Sequence, residues 1–307
     1  MFASLLFLAA MQGIVIPLGH PRVIEQPKAP IETAGPRWAL ACKDSDDWNK
    51  PAPPVRIHAN TYLVGTCGIS SLLIVGDQGD ILIDGGPEPA ADLIADNVRA
   101  LGFRLTDIKF ILHSHEHFDH VGGIAKLQRL SGATLVASAP AAKAFASGTP
   151  TSDDPQSGMN KPFPPASVGR VIGDNGEVRL GNLMLTAIAT PGHTPGALSW
   201  RWVSCDGGVC RTIVYADSLT PVSRETYRFS DHPAYLSAYR ASIAKIDASP
   251  CEILLTPHPS ASAMRDRLAL GRPLFDPEAC KAYAASLTKQ LDDRIAKEGA
   301  APAKSRP

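Results

Sequence analysis

The chain has no excess charge of either sign: 30 Lys and Arg stand against 30 Asp and Glu, a formal net charge of zero over 307 residues. With no basic run, a nucleic acid or an anionic membrane surface is excluded as the expected partner. No CxxC pair occurs among the six cysteines, which argues against a cysteine zinc cage. The opening stretch "MFASLLFLAAMQGIVIPLG" lacks side-chain charge altogether, yet Gln12, Gly13 and Pro17 interrupt it and weaken a stable membrane span. It also lacks the basic n-region and the clean small-x-small cleavage site of a signal peptide. Against a membrane anchor or a buried first helix, an export signal over residues 1–19 is still the favoured reading, with residues 20–40, rich in Pro and Gly, as a leader.

What is present is ordinary globular composition, 44% hydrophobic and 20% charged. The six cysteines are Cys42, Cys67, Cys205, Cys210, Cys251 and Cys280; an even count fits disulfides and a periplasmic or secreted location. Six cysteines allow fifteen pairings. Cys205 and Cys210 flank the turn "DGGV", and joining Cys42 to Cys67 and Cys251 to Cys280 would tie each end of the chain to the body. Six reduced thiols in a cytoplasmic core is the alternative.

Short β-branched runs ("VRIHANTYLVGT", "SSLLIVGDQGDILIDGG", "IKFILHSH", "TLVASAP") alternate with helical spacing in "PEPAADLIADNVRALGF" and "DHVGGIAKLQRLSG", the latter with a glycine stop at Gly132. Residues 148–168, dense in Pro, Ser, Asp and Gly, read as a long loop of the type kept for binding. The second half repeats the rhythm and ends in a charged amphipathic helix, "DPEACKAYAASLTKQLDDRIAKEGA". The expectation is an α/β chain: a single domain over residues 41–299 built as a four-layer αββα sandwich, with a disordered tail at 300–307.

The stretch from residue 113 to residue 123, "HSHEHFDHVGG", holds four of the nine histidines. Within it His115, His117, Asp119 and His120 form H-x-H-x-D-H. His115 and His117 lie two apart after a strand, so in extended backbone their side chains face the same way. Asp119 and His120 follow at the turn into a helix, where a second pair can be aimed nearby. Imidazole with carboxylate and without thiolate suits Zn²⁺ in an open catalytic site. His193 in "TPGHTPG" and His258 in "LLTPHP" would each read alone as loop histidines. Beside this cluster they complete six ligands, because two zinc ions need more than four. His113 shares the face of His115 but reads as a hydrogen-bonded structural histidine; His20, His58 and His232 carry no signal.

Together "HSHEHFDHVGG", "TPGHTPG", "YADSLT" and "LLTPHPSAS" resemble the metallo-β-lactamase fold and, within it, subclass B3 β-lactamases, over about Trp48 to Ala296. The suggested cysteine pairs resemble its AIM-type members. The resemblance implies one zinc held by His115, His117 and His193 and a second held by Asp119, His120 and His258. Asp119 would also orient a zinc-activated hydroxide, making it the catalytic carboxylate. It further implies a small-molecule β-lactam as the substrate, with contacts near Ser218 and Thr220. Ser218 stands where other subclasses have a ligating cysteine. Gln156, from the long loop, and Arg224 are further candidates for facing the pocket. Asp84 in "ILIDGG" would orient a ligand or a backbone turn, or else is a plain turn-former. The default assembly is a monomer.

The same fold hosts glyoxalase II-like thioesterases and lactonases, so fold cannot decide substrate. Asp217 is the discriminator: a bridging role between two metals favours those hydrolases, whereas an Asp217 turned away with Ser218 facing the site favours a β-lactamase. A serine β-lactamase would need S-x-x-K together with its partner motifs, and that set is absent. A non-catalytic zinc-binding protein would fill every coordination position from the chain, whereas three ligands per ion leave room for water.

Overall fold

The computed structural model describes residues 31–300; the expected export signal and C-terminal tail lie outside them, apart from residue 300 itself. In chain order the elements are α1 (Ile31–Cys42), β1 (Val55–His58), β2 (Thr61–Leu63), β3 (Leu72–Gly76), β4 (Gly79–Ile83), α2 (Ala90–Ala100), β5 (Ile108–Leu112), α3 (Phe118–Val121) and α4 (Ile124–Ser131). There follow β6 (Thr134–Ala137), α5 (Ala139–Ser147), β7 (Val168–Val171), β8 (Glu177–Leu180), β9 (Leu183–Ala189), β10 (Leu198–Asp206) and β11 (Val209–Tyr215). The last elements are α6 (Pro233–Asp247), β12 (Ile253–Leu255), α7 (Met264–Ala269) and α8 (Ala279–Ala300).

Strands β1 to β7 form one sheet in sequential order, and β12-β11-β10-β9-β8 form the other. Alternation along the strands builds the layers. Leu72, Ile74, Ile81 and Ile83 face Leu185, Leu198, Trp200, Trp202, Ile213 and Tyr215 in one core between the sheets. Their neighbours Leu73, Val75 and Leu82 point the other way, onto Ile94 and Val98 of α2, Leu127 of α4 and Phe145 of α5. On the far side, Val214 and Leu254 pack on Tyr239 and Ile243 of α6 and Leu287 and Leu291 of α8. The result is helix, sheet, sheet, helix.

Three differences from the sequence reading have local causes. The single helix expected over "DHVGGIAKLQRLSG" is two, α3 and α4, because Gly123 lies against the Asp84–Gly86 turn and Gly122 against Pro87 and Glu88; a Cβ on Gly123 would fall on the Gly85 carbonyl. Gly85 donates to the His120 carbonyl at 2.8 Å and Gly123 to the Gly86 carbonyl at 3.0 Å, locking the two turns backbone to backbone. Gly132 does stop α4, with φ 72° in the left-handed region. Next, the segment read as a leader over 20–40 runs into α1, whose Trp38 is 0% exposed in the core between the sheets. Third, the last residue of the long loop, Val168, already belongs to the edge strand β7.

The cysteines pair as Cys42–Cys67, Cys205–Cys210 and Cys251–Cys280. Closing loops of 25 and 29 residues with the first and third constrains the unfolded chain by about 3–4 kcal/mol each. Among the described residues no helix is long and apolar enough to cross a membrane.

Because Trp38 anchors α1 through its side chain, Trp38→Ala should lower the stability of the folded protein by about 3–5 kcal/mol in urea unfolding. A loss below about 1 kcal/mol would show that α1 is not part of the core.

Candidate metal centre

One end of the sandwich gathers the functional side chains. His115 and His117 follow β5, His193 lies in the connection from β9 to β10, and Asp217 and Ser218 follow β11. His258 follows β12. Strand ends converge there because both sheets present their loops on the same rim.

The imidazoles of His115, His117 and His193 meet at ring-centroid distances of 4.7–5.0 Å, and one ligand atom of each lies within 4.8 Å of the others. His115, Asp119 and His120 satisfy the same test. His258 joins this second group: its Nε2 is 3.3 Å from His120 Nε2 and 3.6 Å from Asp119 Oδ2, which is itself 3.0 Å from His120 Nε2. Tetrahedral ligands at about 2.0–2.1 Å from zinc sit about 3.3–3.4 Å from one another. The donor set fits a divalent cation, and the spacing of the second group is already that of a coordination shell.

Behind each imidazole a second group engages the remaining ring nitrogen or stands close to it. His115 Nδ1 meets Asp217 Oδ1 at 2.7 Å, and His117 Nε2 meets Asp154 Oδ2 at 3.0 Å. The Nδ1 atoms of His193 and His258 reach the carbonyls of Thr220 at 3.0 Å and Gly68 at 3.2 Å. His120 Nδ1 lies 3.8 Å from Asp84 Oδ2. Such partners fix tautomer and ring orientation, leaving the opposite nitrogen for a metal.

Asp84 holds its own turn as well. It adopts φ 63°, accepts from the backbone N–H and hydroxyl of Ser114 at 2.7 Å each, and from Tyr215 Oη at 2.7 Å. Asp217 does not join either ligand group; it stands behind His115, and its backbone N–H donates to Ser199 Oγ at 2.9 Å. Ser218 is 3% exposed and its Oγ has no hydrogen-bond partner. Gln156 Nε2 lies 3.2 Å from His193 Nε2, whereas the Thr220 hydroxyl is turned to His193 Nδ1 at 3.1 Å. Arg224 is turned to the loop, its Nη1 donating to the Asp154 carbonyl at 2.7 Å. His113 is buried with Nε2 accepting from Ser138 N at 3.3 Å, and it packs edge-on against Phe145.

Sequence reasoning missed Asp154 and Glu116. Glu116, pointing away from the ligands that flank it, accepts from Thr194 Oγ1 at 2.7 Å and Gly196 N at 2.8 Å, pinning the turn that carries His193. Its burial pushes the carboxyl up to about 7. The acidic residue inside H-x-H was the available signal for Glu116.

Electrostatics favour the ligand forms. Burial, then the neighbouring imidazoles, holds His115 well below the usual imidazole range. Burial first and His117 second bring His193 to about 3; burial first and His120 second bring His258 to about 4. His120 is the exception: burial opposes its charge, but the carboxylates of Asp119 and Asp84 outweigh it and raise the group. The Asp119 carboxyl is held low, its burial overcome by His120.

The family model described as the metallo-β-lactamase superfamily matches residues 64–258. The chain belongs to that superfamily. It is a hydrolase whose solved relatives include subclass B3 enzymes. It is 54% identical to the MIM-2 metallo-β-lactamase, with 86% of this chain and 98% of that one covered at a TM-score of 0.83. For the metallo-β-lactamase MIM-1 from Novosphingobium pentaromativorans the identity is 48%, the coverage 86% and 99%, and the TM-score 0.84. MEM-A1, a subclass B3 metallo-β-lactamase from a soil metagenome library, is 44% identical, with 83% and 99% covered and a TM-score of 0.80. A hydroxyacylglutathione hydrolase of Anaeromyxobacter dehalogenans (strain 2CP-C) is 27% identical over 214 residues, 69% of this chain and 68% of that protein. The family implies a divalent metal, for which His115, His117 and His193, and Asp119 with His120, are groups that could serve.

Metal-free protein should lose stability as pH falls. Burial leaves His113 at about 3, as it does His193, with His258 at about 4, all below the ordinary 6.5. Between those limits these three imidazoles bind more protons in the unfolded chain than in the folded one, while Glu116, held at about 7, acts in the opposite sense; the three outweigh the one, so stability declines as pH drops from about 6.5 toward 4. Melting temperatures of chelator-stripped protein at pH 7 and pH 4.5 check this; a flat profile contradicts it.

Proposed function

We propose that this chain is an exported, zinc-dependent β-lactamase that opens the lactam ring of penicillins, cephalosporins and carbapenems, and so confers antibiotic resistance. His115, His117 and His193 hold one zinc; Asp119, His120 and His258 hold a second. Bound zinc supplies a hydroxide nucleophile near neutral pH and Lewis acidity at the lactam carbonyl. Asp119 orients the nucleophile. Ser218, with its buried Oγ unpartnered, and the Gln156 amide bind the polar groups of the substrate. The Thr220 hydroxyl, engaged at His193 Nδ1, reaches substrate only by turning from that contact. The three disulfides support an oxidising compartment.

One observation carries the choice of substrate class: Asp217 Oδ1 lies 2.7 Å from His115 Nδ1, behind the ligand rather than between the ligand groups. A carboxylate in that position orients an imidazole and does not bridge two ions. The second reading, thioester hydrolysis, rests on the hydroxyacylglutathione hydrolase relatives at 27% identity.

Zinc-loaded protein incubated with imipenem, a cephalosporin and S-lactoylglutathione, with and without EDTA, separates the two. Ring opening abolished by EDTA is expected; thioester cleavage alone transfers the assignment to the second reading. In a parallel measurement His117→Ala should lose zinc and activity together, whereas His113→Ala should retain most zinc. The reverse result would show that the ligands are assigned wrongly.

A further inference from the structure

The loop at residues 151–160 belongs to no strand, so no sheet ladder fixes it. Internally it is a run of turns, with Asp154 N donating to the Thr151 carbonyl, Ser157 N to the Asp154 carbonyl and Met159 N to the Gln156 carbonyl at 2.9–3.0 Å. These bonds shape the loop without saying where it sits. Yet it delivers two side chains to the metal centre, Asp154 behind His117 and Gln156 beside His193. Asp154 itself is 0% exposed, and its Oδ1 accepts from Gln156 N at 2.6 Å, coupling the two positions.

Arg224 supplies an external brace. Its backbone N–H donates to the Pro155 carbonyl at 2.9 Å, and its Nη1 donates to the carbonyls of Asp154 at 2.7 Å and Pro155 at 3.4 Å. The guanidinium lies over the Tyr227 ring at 5.2 Å, and that ring is itself packed by a stack with His232 at 4.4 Å and an edge contact with Phe229 at 5.3 Å. A planar cation seated on an aromatic ring, with its donors aimed at two successive carbonyls, is held rigidly; lysine cannot reproduce that fork.

We propose that Arg224 is a positioning residue for the metal centre, holding the Asp154–Gln156 segment so that Asp154 orients His117. The proposal rests on the reading of His117 as a metal ligand. Arg224 touches neither ligand nor ion; its effect passes through Asp154.

Zinc affinity, measured by competition with a chromophoric chelator, tests this apart from any substrate. Arg224→Ala should weaken the affinity about tenfold, the lower end of what loss of a ligand-orienting partner produces. Arg211→Ala is the control, since Arg211 is also a tethered, ring-stacked arginine, paired with Glu252 at 2.8 Å and lying over Phe275 at 4.2 Å; its affinity should stay within about twofold, below the tenfold level of an orienting partner. Arg224→Lys, a milder change for the case that the alanine variant does not fold, should show most of the same loss. Asp154→Asn should also weaken binding, and adding Arg224→Ala to it should cost little more, because both act on one path. Cobalt-substituted Arg224→Ala and Asp154→Asn should share an altered d–d absorption band that Arg211→Ala lacks. Wild-type affinity in both Arg224 variants, or a double variant whose loss is the full product of the two, overturns the proposal. Wild-type protein that fails to retain zinc overturns the ligand reading itself.

Discussion

Five histidines brought to one buried point cannot all be charged, and the structure is organised around that constraint. Removal from water drives His115, His193 and His258 toward the neutral form, which is also the form that offers a lone pair. Each ring also has a second nitrogen to satisfy, and a carboxylate or carbonyl from a distant part of the chain meets it in four of the five. Asp217, Asp154, Thr220 and Gly68 are separated along the sequence by as much as 152 positions, yet each meets one ring nitrogen. The centre is therefore assembled by the whole sandwich and not by one motif.

The fold brings those partners into place through close backbone approach. The glycine pairs of "ILIDGG" and "DHVGG" let two turns touch directly, which sets Asp84 below His120 while α3 begins beside it. The Glu116 carboxylate does the same for the connection bearing His193. Candidate ligands that arise after separate strands are thus cross-braced by the protein itself, the condition under which binding energy is not spent on ordering a site.

Much of this was legible in the sequence because it was local. Strand-then-turn placement and the spacing of His115, His117, Asp119 and His120 depend on near neighbours, as does the glycine stop at Gly132. The hairpin that pairs Cys205 with Cys210 was legible for the same reason. Asp154 was not: it follows Asp153 in a polar loop, and nothing nearby says which of the two carboxylates turns inward to His117. Trp38 was hidden by its setting, since Pro36 and the surrounding Pro and Gly suggest a leader while the indole finds its place only in the core between the sheets. Arg224 could be placed near the site from sequence, but its direction was set by carbonyls seventy positions away.

The C-terminal helix carries a consequence of its own. Tyr283, three residues past Cys280, donates its hydroxyl to the carbonyls of Asp217 and Ser218 at 3.1 and 2.7 Å. Oxidation of Cys251 with Cys280 staples the first turn of that helix beside β12, and so also secures the rail under Ser218. Assembly of the segment that carries Asp217 and Ser218 is thereby joined to thiol chemistry: molecules folded in a reducing environment would have that rail held by packing alone, and the order of the centre beside it would record the redox history of the chain.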